Sequence, residues 1–321
     1  MRRPSTDPRQ PPTRRRRLTG ASLVIGSLAL GACSSTSSGH GITTNGRIIR
    51  VVAAENEYGN VAAQIGGKYV NVTSVENNPN TDPHSYEVSP GVARAVSAAQ
   101  LVIQNGVGYD AFMTKIESAS ANSKRQVIDV QNLLRLPDST PNPHLWYDPK
   151  TMPKVANSLA ADFATLQPTN ASYFKTNAAT FIASLQPWLA AIARFKATYP
   201  NTPVATTEPV ADYMLEASGA HNLTPFGFQA DIMNGVDPSP QDVTLQTGLF
   251  ADHKVKVFVY NQQVTDSLTG TFITAAKKAG IPVIGVYETM PVPGFNYQSW
   301  MLAEVEALQK AVADKISTVK L

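Results

Sequence analysis

Short runs rich in β-branched residues alternate with helical stretches along most of this chain, and that alternation limits its fold more than any other feature. Ile48 to Ala54 is the first run, followed by a helical stretch through Val61, Ala62 and Ile65 that stops at Gly66-Gly67. Val70 to Val75 is the second run. Ser89-Pro90 then offers an N-cap with proline at the first helical position, for a helix reaching Ala99. Leu101 to Ile103 and Val127 to Val130 are further strands. Strands separated by helices pair in parallel through crossovers, so the expected class is α/β with parallel sheets flanked by helices.

The alternation is interrupted once. Asp148-Pro149 opens a helix over 150–166, and from Asn170 onward Phe174, Ala178, Phe181, Leu185, Trp188, Leu189, Ile192 and Phe195 recur three or four apart up to Tyr199-Pro200. That spacing reads as one long helix of about thirty residues, on the order of 45 Å. Pro187 inside it removes a hydrogen bond and marks a place for a kink. The alternation then resumes, with strand 203–206, helix 210–217 stopped by Gly219, strand 255–259, helix 267–278 stopped by Gly280, strand 282–286 and a closing helix over 298–316. The architecture expected is two lobes, 47–168 and 200–321, joined by one long rigid helix over 169–199.

The chain begins with an Arg- and Pro-rich stretch ending in Arg14-Arg15-Arg16-Arg17, a small apolar stretch from Ala21, and Leu30-Gly31-Ala32-Cys33. A charged region, a short apolar region and small residues at a cleavage point make residues 1–33 an export signal, too short for an ordinary spanning helix. The arginines admit general secretory or twin-arginine export. Cys33 is the single cysteine, which excludes an intramolecular disulfide, and its place after Leu-Gly-Ala is that of the lipid-accepting cysteine of bacterial lipoproteins. Ser34 to Gly46 carries almost no large apolar residue and reads as a flexible tether. The formal charge of +3 is concentrated in the signal, so the mature part has no basic stripe and nucleic acid is excluded as a partner.

Histidine is scarce, yet two of the five fall in matching frames, Asp82-Pro83-His84 and Asn142-Pro143-His144, each followed by aromatics (Tyr86; Trp146 and Tyr147). Proline fixes its own φ and biases the preceding residue towards extended geometry, so each imidazole is held on a stiffened backbone. Two such loops point to a metal site. His40 lies in the tether, and His221 and His253 sit in polar stretches and are expected to be exposed. Asp231 and Asp237 flank a glycine-containing loop without ligand spacing.

Asp82-Pro83-His84-Ser85-Tyr86-Glu87 and Asn142-Pro143-His144-Leu145-Trp146-Tyr147-Asp148-Pro149 resemble the two histidine ligand loops of the metal-binding lipoproteins of zinc and manganese uptake ABC transporters, the cluster A-I solute-binding proteins similar to zinc-uptake component A. The resemblance covers essentially the whole mature chain. It implies a third ligand in Thr206-Thr207-Glu208-Pro209, where Glu208 takes a position held by His or Glu in the family. It implies a fourth in Val286-Tyr287-Glu288-Thr289, where Glu288 replaces the usual Asp. His84, His144, Glu208 and Glu288 would then hold one divalent ion. Two neutral imidazoles and two carboxylates balance its charge.

The resemblance further implies delivery of the ion to an ABC permease and its ATPase by a monomer lipid-anchored to the outer face of the bacterial cytoplasmic membrane. The donor set suits both Zn²⁺ and Mn²⁺. Glu in the third position, and the lack of a His-rich acidic loop between His84 and His144, resemble the manganese binders, so the reading leans to Mn²⁺ with Zn²⁺ nearly level. Two other classes stand beside it. A secreted zinc hydrolase would be expected to show His-Glu-x-x-His or a base beside the metal, and neither is present. A metal-stabilised surface adhesin without a transport role would share the ligands.

Overall fold

The computed structural model describes residues 48–83 and 88–321, so the export signal, Cys33, the tether and the segment 84–87 with His84 lie outside the described residues. Two four-stranded sheets, both wholly parallel, carry the fold. The first has the order β2-β1-β3-β4, from β1 (Ile49–Glu55), β2 (Val70–Glu76), β3 (Leu101–Gln104) and β4 (Gln126–Asp129). The second repeats that order as β6-β5-β7-β8, from β5 (Pro203–Thr206), β6 (His221–Asn222), β7 (Val257–Asn261) and β8 (Val283–Val286).

Each sheet has a helical cover on its outer side and shares an inner one. The cluster of Val52, Val75, Val102, Met113 and Ile116 packs α2 (Pro90–Ala98) and α3 (Ala111–Ala119) on the first sheet. Phe228, Phe250, Phe258 and Phe272 do the same for the second sheet with α9 (Phe226–Met233), α10 (Pro240–Ala251) and α11 (Ser267–Lys278). The largest cluster joins Val51, Leu101 and Ile103 to Val204, Val259 and Ile284 through α1 (Asn56–Gly66), α4 (Val130–Leu134), α5 (Thr151–Leu166), α6 (Ala171–Ser184), α7 (Gln186–Thr198), α8 (Asp212–Ala217) and α12 (Tyr297–Asp314). One continuous apolar cluster therefore reaches both sheets, which resists hinge motion of one against the other. Trp188 of α7 is wholly buried with its ring edge-on to Tyr297 of α12, 6.0 Å away, and Trp188→Ala would cost about 3–5 kcal/mol there.

The long helix read from the sequence is two helices laid end to end. Leu185 separates α6 from α7 yet keeps helical angles (φ −76°, ψ −12°), and Leu189 N–H still reaches its carbonyl at 3.0 Å. Pro187 explains the break. Its ring would clash with the carbonyl of Ala183 in an unbroken helix, whereas in the first turn of α7 its missing N–H is not needed.

Candidate metal centre

In both sheets the chain leaves its first strand to one side and later returns on the other, so the switch points lie between β1 and β3 and between β5 and β7, where α/β folds gather ligands at the carboxyl ends of strands. Glu208 lies two residues beyond β5, Asn261 closes β7, and Glu288 lies two residues beyond β8. These ends face those of the first sheet, because Tyr109, in the loop after β3, donates its hydroxyl to Glu288 Oε2 at 2.8 Å.

His144 precedes a 3-10 turn over Leu145–Tyr147 and is fully buried. Its ring is oriented by the residue two before it: Nδ1 lies 2.8 Å from Asn142 Oδ1, which also accepts the His144 backbone N–H at 3.0 Å. Asn142 is itself fixed, since its Nδ2 donates to Pro209 O at 2.8 Å. That network assigns the proton to Nδ1 and directs Nε2 at Glu288 Oε2, 3.3 Å away. Glu288 is 1% exposed, and its other oxygen accepts from Asn261 Nδ2 at 2.5 Å. An imidazole nitrogen and a carboxylate oxygen thus face one another, and a cation between them would satisfy both.

Glu208 is buried, and burial pushes its carboxyl well above the usual range, helped by the charge of Glu288 and opposed by the nearby Asn261 amide. Neither Glu208 oxygen has a hydrogen bond of good geometry. Among the described residues His144 and Glu288 are in contact, and Glu208 joins them through charge; no three His, Cys, Asp or Glu side chains converge as a complete ligand group. His84 falls in the segment outside the described residues. His221 and His253 are exposed, Asp231 is half-buried on α9 and Asp237 exposed, and none of them approaches this centre by any hydrogen bond or ion pair among the described residues.

Sequence reasoning missed a layer of buried acids beneath the centre. Glu55 and Glu76 end adjacent strands in register, Glu57 lies in the first turn of α1, and Asp110 follows β3. All four are buried, and none pairs with a lysine or arginine among the described residues. Burial is the first cause of their raised pKa values and mutual repulsion adds to it for Glu55, Glu57 and Glu76, with Glu76 reaching about 9. Asp110 is raised less because it accepts the backbone N–H groups of Asn105 and Gly106. Gly106 makes that possible: its φ is +82°, and a Cβ there would meet Gln131 Cβ at 2.7 Å.

Two lobes, each built on a parallel sheet, share one helical layer and bring buried polar side chains to their facing strand ends. The chain belongs to the family of the periplasmic zinc-uptake complex component A, whose sequence profile spans residues 51–311. It is 22% identical over 272 residues to the manganese-binding lipoprotein MntA of Bacillus subtilis, covering 81% of this chain and 85% of that one. Its fold matches the solute-binding protein FpvC of Pseudomonas aeruginosa, solved with Mn²⁺, at a TM-score of 0.69 and 19% identity, over 84% of this chain and all of that one. It matches equally a laminin-binding adhesin of Streptococcus agalactiae, at a TM-score of 0.69 and 18% identity over 82% and 99% of the two chains.

Proposed function

We propose that this protein captures one divalent transition-metal ion, Mn²⁺ or Zn²⁺, outside the cytoplasm and delivers it to an ABC permease driven by its ATPase. The observation that carries the reading is the His144–Glu288 pair, buried, 3.3 Å apart and held from behind by Asn142, Asn261 and Tyr109. Metal-ligating histidines characteristically give their second ring N–H to such a partner, which fixes the tautomer. His84, Glu208 and the pair would form the ligand set, with His84 arriving from the loop that Thr81 and Asp82 begin.

The family is one of uptake components, which sets a secreted hydrolase aside. The manganese-binding relative, together with the carboxylate at position 208, supports a lean to Mn²⁺. The adhesin shares the fold alone and argues for neither role. The relatives carry lipoprotein names, and no helix among the described residues is long and apolar enough to cross a membrane. In this reading Cys33, which follows Leu-Gly-Ala, would supply the anchor after removal of the signal ahead of it, with 34–46 as tether and the lobes 47–168 and 200–321 joined through 169–199. Equilibrium competition between Mn²⁺ and Zn²⁺ on the mature protein and on His144→Ala tests the reading: the wild type should bind both and the variant should bind neither tightly. Equal affinities in the two proteins would overturn it.

A further inference from the structure

The short run Asn261-Gln262-Gln263 at the end of β7 grips the Glu288 turn with all three side chains. Asn261 holds the Glu288 carboxylate, and Gln262 Oε1 accepts the Tyr287 hydroxyl. Gln263 Oε1 accepts two backbone N–H groups, those of Glu288 and Thr289, each at 2.8 Å. Those two donors fix the amide the right way round, so Nε2 must point the other way. It donates to Thr81 O at 2.7 Å and to Thr289 Oγ1 at 3.2 Å.

Thr81 belongs to the other lobe, three residues before His84. The second histidine turn is tied to the opposite lobe several times over: Tyr147 hydroxyl to Tyr287 O, Asn142 Nδ2 to Pro209 O, and Tyr213 hydroxyl to Asn142 O. In the segment before the first, Asn78 Nδ2 donates to Thr81 Oγ1 and Thr81 N–H to Asn78 O, and Asn77, Asn78 and Thr81 border a cavity of about 240 Å³ that Glu76, Asp82, Pro83 and Thr289 also line. The bond from the buried Gln263 amide to Thr81 O crosses the cleft into this segment, so losing it loosens the segment against the Glu288 turn.

We propose that Gln263 is a positioning residue that couples the backbone of Glu288 to the first histidine loop and so sets how long the bound ion is retained. The inference rests on the metal-binding reading above. Gln263 is 8% exposed and neutral, and it is not itself one of the proposed ligands. Losing it should leave the donor atoms in place while loosening their spacing, which is felt chiefly in the rate of release.

Two variants of the mature protein separate its bonds. Gln263→Glu keeps an acceptor for the Glu288 and Thr289 N–H groups and lacks the donor for Thr81 O; Gln263→Leu lacks both. Mn²⁺ release is measured by chelator chase, Mn²⁺ coordination by electron paramagnetic resonance, and hydrogen exchange of residues 77–83 in the metal-free protein. Both variants should bind one Mn²⁺ with an unchanged spectrum, release it about tenfold or more faster, and exchange faster over 77–83. Release within about twofold of wild type in Gln263→Glu, with exchange over 77–83 unchanged, would overturn the inference even if Gln263→Leu proved unstable. Failure of the wild type to bind either Mn²⁺ or Zn²⁺ would instead remove the metal-binding reading itself.

Discussion

Glu304→Gln isolates the energetic effect of one buried carboxyl. Glu304 lies on α12, fully buried, and burial pushes its pKa up to about 8 although Trp300 Nε1–H at 2.9 Å and the Tyr147 hydroxyl at 3.3 Å pull the other way. Its folded value is thus above the unfolded value near 4.5. Between the two the folded state binds the extra proton, so this group's contribution is complete below the unfolded value and is lost as pH rises towards the folded one. At about 1.36 kcal/mol per pH unit, the loss between pH 6 and pH 8.5 is roughly 2–3 kcal/mol. Glutamine keeps an acceptor for Trp300 and Tyr147 and never ionises. Urea unfolding of the metal-free protein at both pH values should therefore show the variant gaining about that amount on wild type as pH rises, while the other buried acids cancel in the comparison. A gain below about 0.5 kcal/mol would refute the assignment of Glu304 as neutral in the fold.

Replacing the histidines one at a time should separate ligands from bystanders: His84→Ala and His144→Ala each weaken Mn²⁺ and Zn²⁺ binding by about 2 kcal/mol or more, and His221→Ala and His253→Ala leave it unchanged, read by calorimetric titration. Glu288→Gln keeps the shape and removes the charge, and should weaken Mn²⁺ more than Zn²⁺, because Mn²⁺ makes greater use of carboxylate oxygen; affinities for both metals unchanged by the substitution in a competition assay would take Glu288 out of the ligand set. Cys33→Ser should release the protein from washed membranes without altering metal affinity, and its retention there would point to an uncleaved signal. Saturating Mn²⁺ or Zn²⁺ at about a hundred times the dissociation constant should stabilise the fold by roughly 2.7 kcal/mol in thermal unfolding, with far less from Mg²⁺, which holds its water and prefers oxygen.

Much of the fold was legible because the relevant signals are local. The helix Ser267–Lys278 and the strand Pro203–Thr206 stand where the apolar pattern puts them, and α12 begins one residue before its expected start, at Tyr297. The helices α9 and α10 were not read. On α10 the buried residues include Gln246, which donates to Thr206 O and accepts from Thr224, so a polar side chain occupies a core position and hides the apolar period. Its start was still marked by Ser239-Pro240, with Ser239 Oγ accepting the Asp242 N–H, the same signal that located α2 at Ser89-Pro90. The two residues of β6 are too few for any period.

At the candidate site the sequence reached the residues whose frame repeats and, through family resemblance, the two glutamates at strand ends. It did not reach their supports. Asn142 was visible in Asn-Pro-His, but its grip on His144 Nδ1 is a matter of rotamers. Glu55, Glu57 and Glu76 look like solvated acids in a sequence, and only the sheet register and the packing of α1 bury them. Gln263 bridges residues far apart in the chain, a relation that no local pattern encodes.

The proposed function requires a single divalent ion held between the lobes. The most direct measurement is the metal content of mature protein purified without chelator and then loaded with Mn²⁺, alongside the double variant His84→Ala/His144→Ala, by mass spectrometry of the protein's metals. The wild type should carry one ion per chain, and the double variant should retain none after desalting. One tightly held ion in the double variant would contradict the proposed function.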